Sequence, residues 1–139
     1  MFKHILVPED MTEESLRALT VAAEMATYGT SRVTVLHVIE ILDDVGYEEH
    51  KDFYENLKKR SQKKMDQIAD PPEADKVLID KRIRFGKRVG EILRFADENE
   101  VDLIVLVSHR IDRDNPTQGW GTISHQISIL AHCPVMMVK

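Results

Sequence analysis

The chain has 139 residues, 42% hydrophobic and 31% charged, which fits one globular domain with a core of its own and excludes a disordered segment. Lys and Arg number 19 against 24 Asp and Glu, a formal charge of −5, so general binding to nucleic acid or to an anionic membrane starts out repulsive. Cys133 is the one cysteine and cannot form an internal disulfide; with no apolar run of spanning or signal-peptide length, the expectation is a soluble cytoplasmic protein.

Short apolar, β-branched runs alternate with helical patterns. Residues 5–8 form the first run. Thr12 then reads as an N-cap with Glu13 and Glu14 in the first turn, followed by a stripe of Leu16, Leu19, Ala23 and Ala26, with Gly29 as the stop. The second run covers 33–41. A charged helix over about 47–69 keeps Phe53, Leu57, Met65 and Ile68 at helical spacing, and Pro71-Pro72 ends it. The third run, 77–85, alternates apolar and polar after its start, which places it at a sheet edge with one wet side. Val89, Ile92, Leu93 and Ala96 mark the third helix, 101–107 the fourth run, Ile123, Ile127, Leu130 and Ala131 the fourth helix, and 134–138 the last run.

The order β-α-β-α-β-α-β-α-β predicts right-handed crossovers and an open parallel sheet with helices on both faces, as one domain over 1–139. Ligands on such a sheet gather at the carboxyl ends of the strands, where helix N-termini supply free N–H groups. That singles out Glu9-Asp10-Met11 after the first run, Val38 to Glu40 near the end of the second, Ser108-His109-Arg110 after the fourth, and Gly121-Thr122 at the start of the last helix. Asp10 is either a polar contact for a ribose or base, or a carboxylate shielding the first helix. Gly121-Thr122 is either a phosphate cradle or a plain helix start. There is no G-x-x-x-x-G-K-[ST] and no H-E-x-x-H, so neither a P-loop nor a zinc helix is indicated. Asp10, Ser108 and His109 are the residue types of a hydrolytic triad, but no G-x-S-x-G elbow accompanies them. No catalytic residue is assigned.

Taken together, 5–15, Leu36-His37-Val38, 101–106, Gly121-Thr122 and 133–138 resemble the universal stress protein family over essentially the whole chain. The resemblance implies an adenine nucleotide alpha hydrolase-like fold with strand order 3-2-1-4-5. It also implies a regulatory stress-response module rather than an enzyme, and a homodimer paired through the last strand at Val135, Met136, Met137 and Val138.

Family members that bind ATP carry G-x-x-G, nine residues, then G-[ST]. Here Val107 and Arg110 stand at the first two glycine positions, the spacer is one residue longer, and Gly121-Thr122 remains. If ATP or another adenine nucleotide binds, the resemblance puts adenine near Pro8, Asp10 and Val38. Val107 and Arg110 stand where the family's glycines let the backbone approach ribose and phosphates, Arg110 either offering a charge to phosphate or filling the pocket, and phosphates would lie at Gly121, Thr122 and the N–H of Ile123. No metal is implied beyond Mg²⁺ carried by the nucleotide. The alternative is a weak ATP-hydrolysing or phosphoryl-transfer enzyme using Asp10 and the Ser108-His109 loop. The protein partner of a regulatory module is not named by the residues.

Overall fold

In the computed structural model the described residues are 1–41, 46–68, 70–108, 112–115, 117 and 122–139. The expected alternation is present. β1 (His4–Pro8) leads to α1 (Leu16–Met25), β2 (Arg32–Glu40) and α2 (Lys51–Asp66). A short 3₁₀ helix (Pro72–Asp75) precedes β3 (Leu78–Gly86), α3 (Arg88–Glu98), β4 (Leu103–Val107), α4 (Ile123–Leu130) and β5 (Val135–Val138). The strands form one parallel sheet in the order β3-β2-β1-β4-β5.

Strand periodicity divides the core in two. Ile5 and Val7 point to one face of β1 and pack with Leu19, Ala22 and Met65. Leu6 points to the other and packs with Ile92, Phe95 and Ile127. Because both faces are covered, the central strands read as unbroken apolar runs. β3 lies at the edge, as its alternation predicts. Its polar side carries the Arg82–Asp80 pair at 2.8 Å, while Lys81, on the face of Ile79 and Ile83, pairs with Asp70 at 3.4 Å; charges along an edge strand discourage pairing with another chain.

Four local expectations are corrected. α1 begins at Leu16 rather than directly after Thr12, because residues 13–15 first make a tighter turn in which Leu16 N donates to Glu13 O and Arg17 N to Glu14 O. Thr12 Oγ1 still accepts from Ser15 N at 3.4 Å, so it caps that turn, and Glu13 and Glu14 lie in it rather than in the helix. Gly29 is not the α1 stop, since the C-cap is Ala26. It serves instead in the following turn, where φ is +76°.

On α2, Phe53 is 56% exposed and Tyr54 is buried in its place. The ring of Tyr54 sits against Tyr47 and Phe85, with centroids 5.8 and 6.2 Å away. The packed line therefore runs through Tyr54, Ser61 and Met65. On α4, Leu130 is exposed, because the covered line runs through positions 123, 127 and 131 and position 130 rolls off it.

Candidate functional site

The carboxyl ends of β1, β2 and β4 and the start of α4 enclose a cleft of about 110 Å³. Leu36, Val38, Ile92 and Leu106 supply its apolar wall. Pro8, Glu9 and Asp10 line it from β1 and the turn after it, Val107 from β4, and Ile123 and Ser124 from α4. Arg88 is the one cation among the described lining residues, against the carboxyls of Glu9, Asp10 and Glu14. This volume lies below the 300–1,000 Å³ typical of pockets for whole drug-sized ligands. The enclosed part therefore suits a single heterocycle, with the rest of a larger ligand lying toward the mouth.

Of the residues singled out by sequence, Pro8, Asp10, Val38, Val107 and Ile123 meet at this cleft. Arg110 and Gly121 lie outside the described residues, as do His109 and Trp120. Thr122 is the N-cap of α4, its Oγ1 accepting from His125 N at 3.3 Å. This orients the first free N–H groups of the helix outward, a local anion site.

Asp10 is exposed at the rim. Its Oδ1 accepts from Thr12 N at 3.0 Å and from Thr12 Oγ1 at 2.6 Å, so its carboxylate also holds the turn that leads into α1. Ser108 is turned toward the C-terminus: its N donates to Val138 O, and its Oγ accepts from Lys139 Nζ at 3.2 Å. It is not among the cleft-lining residues, so the triad types do not converge there. Val135, Met136, Met137 and Val138 form β5, at the end of the sheet opposite β3.

Glu9 is the residue the sequence reading undervalued. It is only 4% exposed. Its Oε1 hydrogen-bonds with Ser15 Oγ and accepts from Met11 N at 3.0 Å. Its Oε2 is buried with no hydrogen-bond partner among the described residues. Burial raises its pKa from 4.5 to about 7; the Met11 N–H works against that rise and the neighbouring Asp10 charge adds to it. The backbone around it is fixed by Glu9 N donating to Leu36 O and His37 Nδ1 donating to Glu9 O at 2.9 Å. Met11 adopts φ +67° to bring its N–H back to the carboxyl. The signal was available: position 9 continues the Ile5-Val7 side of the strand and so points inward.

A parallel sheet with helices on both faces and a cleft at the strand ends, apolar on one wall and opening onto a helix N-terminus, is the architecture of the doubly wound α/β proteins. The family model described as "Universal stress protein family" matches residues 1–139, and the chain belongs to that family. It is 30% identical to universal stress protein YxiE of Bacillus subtilis over 149 residues, covering 100% of both chains. Among solved structures it resembles hypothetical protein MJ0577 with a TM-score of 0.80 and 26% identity, covering 100% of this chain and 96% of that one. It shares its fold with a universal stress protein in complex with cAMP, with a TM-score of 0.66 and 19% identity, covering 99% and 97%. The fold is thus the adenine nucleotide alpha hydrolase-like one. Among the described residues no helix is long and apolar enough to cross a membrane.

Proposed function

We propose that this protein is a homodimeric regulatory module of the stress response, not an enzyme, whose state is set by an adenine nucleotide held in the cleft. The observation that carries the reading is the convergence of Pro8, Asp10, Val38, Val107 and the start of α4 on one enclosed space. The apolar wall suits a base, and the N-terminus of α4 with Arg88 suits phosphate. The fold neighbour in complex with cAMP supports the ligand class. Any Mg²⁺ would arrive with the nucleotide phosphates. The cytoplasm is the compartment that fits a thiol left free at Cys133.

The dimer would form through β5, a four-residue edge strand with Met137 40% exposed and Ile129 and Leu130 exposed nearby. An uncovered apolar edge of this kind is an aggregation liability unless paired. The unidentified protein partner would read the nucleotide state through the residues around the cleft mouth.

Calorimetric titration with ATP, ADP, AMP and cAMP tests the nucleotide half. Micromolar binding of at least one of them, weakened tenfold or more by Val107→Trp, is the expected result. No heat from any of the four would end the reading. Light scattering tests the dimer: twice the chain mass is expected for the native protein and the chain mass for Met137→Lys, and a native monomer would refute it.

A further inference from the structure

Ser15 links the carboxyl of Glu9 to the turn before α1. Thr12 Oγ1 gives its one proton to Asp10 Oδ1 at 2.6 Å. Ser15 Oγ lies 2.7 Å from Thr12 O and also contacts Glu9 Oε1. Ser15 Oγ has one proton for two acceptors, Thr12 O and Glu9 Oε1, and a proton on the carboxyl would let both contacts be hydrogen bonds, from Glu9 Oε1–H to Ser15 Oγ and from Ser15 Oγ–H to Thr12 O. The remaining oxygen, Oε2, is then a carbonyl acceptor without a partner in a residue that lines the cleft. A buried acceptor left unsatisfied costs free energy that a ligand donor recovers.

We propose that Glu9 is held as the neutral acid and that its Oε2 is a specificity contact of the cleft, accepting a hydrogen bond from an amino or hydroxyl group on the base or sugar of a phosphate-bearing ligand, which binds in preference to this protonated form. The inference rests on the nucleotide reading above.

The charges that face Glu9 agree with that sign. Asp10 follows it in the chain, Glu14 shares the cleft, and Glu13 shares with it a neighbouring depression. From the packed elements come His37 of β2 on its carbonyl, Arg88 of α3 across the cleft, and Lys64 of α2 beside the depression. An ionised Glu9 would add a third carboxylate to a cleft-lining set with one cation. A bound ligand would bury that charge further and set it near the phosphates. Both effects favour the proton. The shift of its pKa to about 7 by burial places the change within the ordinary working range.

Titration with cAMP between pH 5.5 and 8.5 tests this, since a phosphodiester does not itself titrate there. For the native chain, Kd is expected to stay level at low pH and to weaken about tenfold per unit above about pH 7. Glu9→Gln keeps an acceptor without a titratable proton, so it should hold the low-pH affinity throughout. Ser15→Ala removes the partner of the neutral acid and should move the onset of weakening to lower pH. A level Kd in the native chain, or the same slope surviving in Glu9→Gln (which would point to His37), overturns the inference and leaves the nucleotide reading standing. Absence of cAMP binding at every pH overturns the inference, and absence of ATP, ADP and AMP binding as well would overturn both.

Discussion

His4 and Glu9 sit at opposite ends of β1, each almost wholly out of water, yet their surroundings differ. His4 Nδ1 donates to Asn99 O at 2.8 Å, and its Nε2 accepts from Thr34 Oγ1 at 2.7 Å. Both ring nitrogens are used, and burial, with the Arg32 guanidinium 3.1 Å from Nδ1, holds its pKa below the usual value despite the Asn99 bond. Glu9 keeps one oxygen without a partner. A satisfied buried polar group ties elements together; an unsatisfied one facing a cleft is a site waiting for a donor. On this reading the amino end of β1 serves stability, and the carboxyl end serves the binding proposed above.

The largest expected effect separates the two groups by pH. A carboxyl whose folded pKa is raised contributes most below its unfolded value, and stability is lost as pH climbs from 4.5 to about 7. Glu9→Gln should therefore match the native chain near pH 4.5 and exceed it at pH 8 by about 3 kcal/mol, measured by urea unfolding. Equal stability of the two at pH 8 would mean that folding does not raise the pKa of this carboxyl.

His4→Ala comes next, with a loss of about 2–3 kcal/mol from the cavity and the orphaned Thr34 and Asn99 groups. Because the folded imidazole resists protonation, the contribution of His4 to stability should fall as pH drops below 6.5, opposing that of Glu9 in the native chain. That slope should be plainest in Glu9→Gln, where the opposing carboxyl is gone, and should vanish when His4 is replaced as well.

Backbone strain at the two ends gives smaller effects. Gly86, at the carboxyl end of β3, has φ +144°, and an added Cβ would stand 2.7 Å from Glu91 Cγ. Glu91 is held by Arg94 at 2.7 Å and by Arg84 at 3.8 Å. Gly86→Ala should cost about 1–2 kcal/mol in the same assay. At the opposite end Glu100 takes φ +52° in an exposed turn, and Glu100→Gly should gain about 0.5 kcal/mol, seen as a small rise in Tm.

The alternation of strands and helices and the edge position of β3 were legible because both follow from patterns that depend on burial alone; the strand order came from the family resemblance, and the place of the cleft from the rule that ligands gather at the carboxyl ends of a doubly wound sheet. The α1 start was not: Thr12, Glu13 and Glu14 have the composition of a helix opening, but the chain spends them on a tighter turn that lowers Ser15 onto Glu9. Tyr54 displaced Phe53 because three rings from separate segments, Tyr47, Tyr54 and Phe85, choose the face together, and helical spacing cannot see that. Glu9 ranked below Asp10 because a charged residue at a strand end is ordinarily solvated. Only the inward phase of β1 argues otherwise.

The assignment of binding to one end of the sheet is tested most directly by amide chemical-shift mapping with cAMP. Perturbations should cluster at residues 8–12, 36–38, 106–108 and 122–125, with 3–4, 29–32 and 99–102 left unmoved. Shifts centred on His4 and Asn99, or none at saturating ligand, would contradict the account.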